Sequence, residues 1–247
     1  SSDLGKHGVG VVPVDGEPLG AVDAHGADRL FVRIKLDGGV APRCADGSDV
    51  DARLDALAAA GHPVLEWTLS DRIDLGGEFV RWEVATAFAG AVLAINPFDE
   101  PNVQQAKQAT TRLLDAYGRE QTLPVPPVDT TDASGTSWTL GRAARTGLDG
   151  APAQTFLRLL VPGDYLAVLA YLGPDAACDA ALTTFRTRVR DARHVATMVS
   201  RGPRYLHSTG QLHKGGPNSS VCVVEIGRAT SELQSHHDLV CRLLLEK

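Results

Sequence analysis

The chain has 247 residues, 43% of them hydrophobic and 22% charged, with a formal net charge of −6. That length holds one large or two small domains with a core of their own. The acidic balance excludes an electrostatic draw toward nucleic acid or an anionic membrane surface, and no apolar run reaches the roughly 18 residues of a membrane span. Four scattered cysteines (Cys44, Cys178, Cys222, Cys241) form no CxxC pair. Neither a zinc site nor a disulfide framework is expected, in keeping with a reducing cytosol.

Taken in chain order, GVVPVDGEPLG (Gly10 to Gly20) is an apolar run that ends at Asp15-Gly16-Glu17-Pro18. A carboxylate in a Gly/Pro turn at the C-terminal end of a strand sits where α/β folds hold ligands; the plainer alternative is a strand and a turn. LFVRIKL (Leu30 to Leu36) predicts a strand. Asp49 to Ala60 predicts a helix with Asp49 or Asp51 near its cap and Gly61 past its end. Pro63 to Leu69 is a second strand. Leu75 to Ile95 is long and apolar all round, the pattern of a buried helix. Asn96-Pro97 breaks it, and Val103 to Tyr117 follows as an amphipathic helix that carries Lys107 about one turn in.

Thr122 to Ser137, full of Pro, Thr, Asp and Ser, reads as a linker. Beyond it Thr155 to Leu160 and Tyr165 to Leu172 read as strands, Ala176 to Arg190 as a helix and Ala196 to Ser200 as a strand. Strands alternate with helices in both halves, which argues α/β with mainly parallel pairing. Gly202 to Ser219 then gathers Arg204, His207, Ser208, Thr209, His213 and Lys214 among glycines and prolines. Such a loop suits an anion or a sugar, or is a polar surface loop; the GxxxxGK[ST] spacing of a P-loop is absent.

GKHGVGVVPVDGEPLG, DRLFV, DLGGEFVRWE, INPFDEPNVQQAK, GDYLAVLAYL and GPRYLHSTGQLHKGGPN together resemble the isomerase part of transaldolase/glucose-6-phosphate isomerase fusion proteins, from about Gly5 to Asn218. The resemblance implies a sugar-isomerase (SIS) type three-layer α/β/α fold with a mainly parallel sheet, plus a second small α/β unit. It divides the chain into a partial C-terminal sugar-isomerase subdomain (1–118), a linker (119–137) and an additional unit (138–219) ending in HSTGQLHKGG. It also implies interconversion of glucose 6-phosphate and fructose 6-phosphate through a cis-enediol, in the cytoplasm and without metal or organic cofactor.

That chemistry needs a carboxylate base beside C1 and C2 and a group for the ring oxygen. By resemblance Glu17, preceded by Gly16, is the base and Lys107 the lysine that handles the ring oxygen and developing oxyanion. Glu100 stands where the family carries Gln, and an acidic group there repels a sugar phosphate. The family's ring-opening histidine has no clear counterpart. His25 and His62 read as surface residues; His207 and His213, with Lys214, are candidates for binding substrate.

The phosphate-binding Ser/Thr loops of the family belong to a first subdomain expected upstream of Ser1, with or without a transaldolase domain before it. The last residues, 225–247, depart from the family pattern. Read as protein, SELQSHHDLVCRLLLEK suggests an amphipathic helix capped by Ser231. Back-translated, the segment resembles a short-read sequencing adapter running into poly-A, which together with the non-Met start suggests a reading frame cut at both ends. The expectation is an isomerase whose isolated segment is inactive. The rivals are an isomerase for another phosphosugar such as mannose 6-phosphate, a sugar-phosphate-binding regulatory module that needs neither base nor lysine, and a structural remnant.

Overall fold

The computed structural model describes residues 12, 17–40, 42–98, 101–122, 127–173, 175–202, 212–213, 216–226 and 242–246, with backbone alone at 101–106 and 242–246. The class is mixed α/β with mainly parallel pairing, as the alternation of elements predicts. The apolar run expected to precede Gly16 lies largely outside the described residues.

The first sheet is a single βαβ unit. β1 (Phe31–Leu36) pairs in parallel with β2 (Val64–Leu69), from Phe31 opposite Val64 to Leu36 opposite Leu69. The crossover helix α1 (Val50–Ala59) starts where expected, because the Asp49 side chain accepts from the amides of Asp51 and Ala52. It ends at Gly61, whose φ of 95° suits a residue without Cβ. Leu54 and Leu57 face Leu19 and Phe31 and form a small core.

Helix α2 (Leu75–Leu93) is entered through a turn at Arg72–Asp74 that Asp71 and Asp74 cap reciprocally. Gly90 is required at its far end: a Cβ there would lie 2.5 Å from Pro97 Cδ. The helix was expected to be buried and is not. Phe79, Phe88 and Val92 are 65%, 70% and 85% exposed, and only Glu78 and Gly90 are buried. Its residues are those of a core helix, but among the described residues Trp67 of β2 reaches it around Glu78 and Trp82, and Phe79, Phe88 and Val92 stay open. Helix α3 (Pro101–Glu120) runs longer than the expected Val103 to Tyr117 and likewise leaves Leu113, Leu114 and Tyr117 exposed.

The second sheet has six strands in the order β3-β4-β8-β7-β5-β6: β3 (Thr130–Thr131), β4 (Ser137–Leu140), β5 (Tyr165–Tyr171), β6 (Ala196–Arg201), β7 (Ser220–Ile226) and β8 (Arg242–Glu246). Between β4 and β5 lies the short helix α4 (Arg142–Leu148), and between β5 and β6 the long helix α5 (Ala176–Arg193). β5 is the buried strand its YLAVLAY sequence predicts, and its pleat divides the core. Leu166 and Val168 join Trp138, Phe156, Val189, Val221 and Val223 on one face. Ala167 and Leu169 meet Met198 and Cys222 on the other.

Three expectations change here. Thr155 to Leu160, read as a strand, belongs to a 3-10 helix, Ala153–Leu159. It buries Ala153, Phe156 and Leu159, a spacing of three that matches three residues per turn. Of the stretch read as linker, residues 130–137 form a hairpin with β4. Asp132 holds its turn by accepting from the amides of Ser134 and Thr136 and from Trp138 Nε1, the last at 3.0 Å. In the tail, residues 242–246 are a strand rather than part of a helix, parallel to β4 and antiparallel to β7.

Candidate functional site

Helix α5 starts at Asp175, whose side chain accepts from the Cys178 amide at 2.7 Å, and ends at His194 in the left-handed region, φ 57°. Arg186, Arg190 and His194 are spaced by four and share one face. That face grips the segment from Glu17 to Asp23. Arg186 Nη2 donates to Glu17 Oε1, and both residues are buried, 8% and 3% exposed. Arg190 Nη1 donates to the Pro18 carbonyl at 2.8 Å, and its Nε donates to Asp191 Oδ1 at 2.8 Å. His194 Nδ1 is hydrogen-bonded to the Asp23 carbonyl.

Gly20 is favoured in this grip by its φ of 80°; a Cβ there would also meet Arg190 Nη2 at 2.6 Å, the movable end of a long side chain. From behind, α5 is tied to β6 by Thr197 Oγ1, which donates to the Arg186 carbonyl at 3.0 Å. A carboxylate enclosed this far would be costly without a cation, and the guanidinium supplies one.

Lys107 lies elsewhere. It is exposed on α3 and lines an open groove with Gln108, Thr111 and Arg112, residues of the same helix. The groove's lining does not include Glu17. Its two cations and two hydrogen-bonding side chains suit an anion only where further groups close over them.

Of the Gly202 to Ser219 loop, His213 is described and His207 and Lys214 are not; Gly16 and Glu100 also fall outside the described residues. His213 Nδ1 and the Tyr165 hydroxyl are hydrogen-bonded at 2.9 Å, the ring's tautomer setting which of them donates. Burial pushes the imidazole down to about 4 and raises the Tyr165 phenol. At neutral pH His213 is therefore uncharged and not a cationic partner for phosphate.

His25 and His62, read as surface residues, are half-buried around Phe31. The His25 ring stands edge-on to Phe31 at 5.1 Å and to His62 at 6.3 Å. His25 Nε2 is hydrogen-bonded to the Leu19 carbonyl at 2.7 Å, and burial lowers its pKa.

Arg186 and Arg190 were absent from the sequence-derived site. Four arginines in FRTRVRDAR look like a solvated helix face. The available signal was their phase: Arg186 and Arg190 share the inward stripe of Leu182, Phe185 and Val189, where a cation needs a buried partner.

Among the described residues, no group of three or more His, Cys, Asp or Glu side chains could hold a metal ion, and no helix is long and apolar enough to cross a membrane. No protein-family model, curated protein or solved structure matches the chain.

Proposed function

We propose that this chain is the base- and lysine-bearing part of a cytoplasmic glucose-6-phosphate isomerase with a sugar-isomerase type fold. The observation that carries the reading is Glu17. A carboxylate withdrawn from water and held by a guanidinium, within the Gly-Glu-Pro segment, is the kind of group a C1–C2 proton transfer needs. In the whole enzyme Glu17 takes the C2 proton of the open-chain aldose, giving a cis-enediol, and returns a proton to C1. Lys107 acts on the ring oxygen and the charge that develops on oxygen.

The segment alone lacks the second half of the site. In keeping with this reading, Lys107 stands in an open groove, and α2 and α3 leave large apolar side chains exposed. The expected partner is an upstream sugar-isomerase subdomain, with or without a transaldolase domain. Neither nucleic acid nor membrane is part of the reading.

A coupled assay on the 247-residue chain is expected to show no turnover, whereas the full-length protein isomerises glucose 6-phosphate. In that protein Glu17→Gln abolishes exchange of the C2 proton with solvent and leaves substrate binding largely intact. Unchanged exchange removes Glu17 as the base.

The Glu17–Arg186 pair also favours a second reading, a sugar-phosphate-binding regulatory module, because a carboxylate engaged with an internal arginine serves structure without chemistry. The two readings part on solvent deuterium incorporation at C2: the enzyme incorporates it, and the sensor binds the same ligand without exchange.

A further inference from the structure

The residues after the hairpin, 138–226, could be an appendage to the isomerase segment. The contacts around Glu17 argue otherwise. Every bond just described between α5 and residues 17–23 crosses from the second unit to the proposed base segment, over sequence separations of 169 to 172 residues. One is made to the carboxylate itself and two to the backbone on its C-terminal side.

We propose that α5 is a positioning clamp for Glu17, so that this helix and the strand β6 that braces it belong to the working site. The inference rests on the reading of Glu17 as the base. Arg186 orients the carboxylate through Oε1. Arg190, on the Pro18 carbonyl, fixes the backbone that carries it. Thr197, on the Arg186 carbonyl, braces α5 against β6. The chain of support runs from the sheet through the helix to the carboxylate. A base set by a rigid neighbour stays in the narrow geometry that proton transfer requires. The choice of arginine follows: one guanidinium nitrogen reaches Glu17 while another lies 3.4 Å from the Thr197 carbonyl, so the planar group is held at both ends, which a flexible ammonium does not reproduce.

The test uses the full-length protein and measures kcat, KM and C2 proton exchange in four variants. Glu17→Gln is expected to abolish exchange. Arg186→Lys, which keeps the charge and loses the fork, is expected to lower kcat by about 10- to 100-fold with KM within about twofold. Arg190→Lys is expected to lower kcat severalfold, again with KM unchanged. Arg188→Lys, exposed on the other side of α5, retains wild-type kcat.

A merely structural pair would lower the amount of folded enzyme and leave kcat per folded molecule intact. Wild-type kcat in folded Arg186→Lys, with exchange lost in Glu17→Gln, overturns the clamp and leaves the base standing. If Arg186→Lys yields no folded protein, wild-type kcat in Arg190→Lys overturns the clamp instead. Exchange that persists in Glu17→Gln removes the base reading, and the clamp falls with it.

Discussion

At the scale of single residues the Glu17–Arg186 pair dominates, because both members are nearly out of water. Removing the cation strands a buried carboxylate. Arg186→Met is therefore expected to destabilise the chain by about 3–5 kcal/mol, whereas adding Glu17→Gln to it recovers much of that loss. Urea unfolding of the two single variants and the double variant checks this, and a cost below about 1 kcal/mol for Arg186→Met would show the pair to be energetically idle. His213 offers a pH-dependent counterpart. Its folded pKa, about 4, lies below the ordinary histidine value of about 6.5. The native state then binds fewer protons than the unfolded chain between those values. Its contribution is complete above about pH 6.5 and is lost as pH falls toward 4. His213→Gln is expected to flatten the slope of unfolding free energy against pH in that window; an unchanged slope assigns the acid sensitivity to other groups. The sequence marked Glu17 as a candidate, and its phase set Arg186 on an inward helix stripe, but nothing in it joined the two across 169 residues, since an ion pair at that separation is a product of packing.

Elements were legible where a local rule decides them. α1 has its aspartate cap and its glycine stop, β5 its unbroken apolar run, and α5 its Asp175 cap. The segment 153–159 was misread because Thr155 to Leu160 is a short, mostly apolar run, which periodicity alone does not tell from a buried strand. What decides it lies outside that window: Pro152 sets the entry, and Phe156 must reach the core beside Trp138 and Phe185. The two readings put different residues inside. A strand would turn Thr155, Leu157 and Leu159 to one face, whereas the 3-10 helix turns in Ala153, Phe156 and Leu159. Phe156→Ala is therefore expected to cost about 3–5 kcal/mol and Arg158→Ala less than about 0.5 kcal/mol. A Phe156→Ala cost below about 1 kcal/mol would remove the packing described. The hairpin at 130–140 was hidden by the composition of its turn, which reads as linker until Asp132 is seen to gather the donors around it.

At the scale of the whole molecule, the 43% hydrophobic content is ordinary, but its placement is not. Strand β5 and its neighbours β6 and β7 bury apolar residues on both faces, while α2 holds Phe79, Phe88 and Val92 in water. A helix of 19 residues that exposes apolar side chains on opposite sides, Phe79 on one and Phe88 and Val92 on the other, carries surface of the kind another segment covers, and helices in proteins draw most of their stability from such packing. The proposed full-length isomerase supplies the cover; a protein complete in this chain would not. The difference can be measured with one pair of substitutions. In the 247-residue chain Phe79→Ser and Phe88→Ser remove no buried contact, so the unfolding free energy is expected to change by less than about 0.5 kcal/mol while binding of a hydrophobic dye falls. If the proposed isomerase reading holds, the same rings lie in an interface of the longer protein, and each substitution there is expected to cost about 2 kcal/mol or more by loss of buried aromatic surface. Equal and small effects in both proteins would mean that α2 stays uncovered, and the partner subdomain would then have to dock elsewhere.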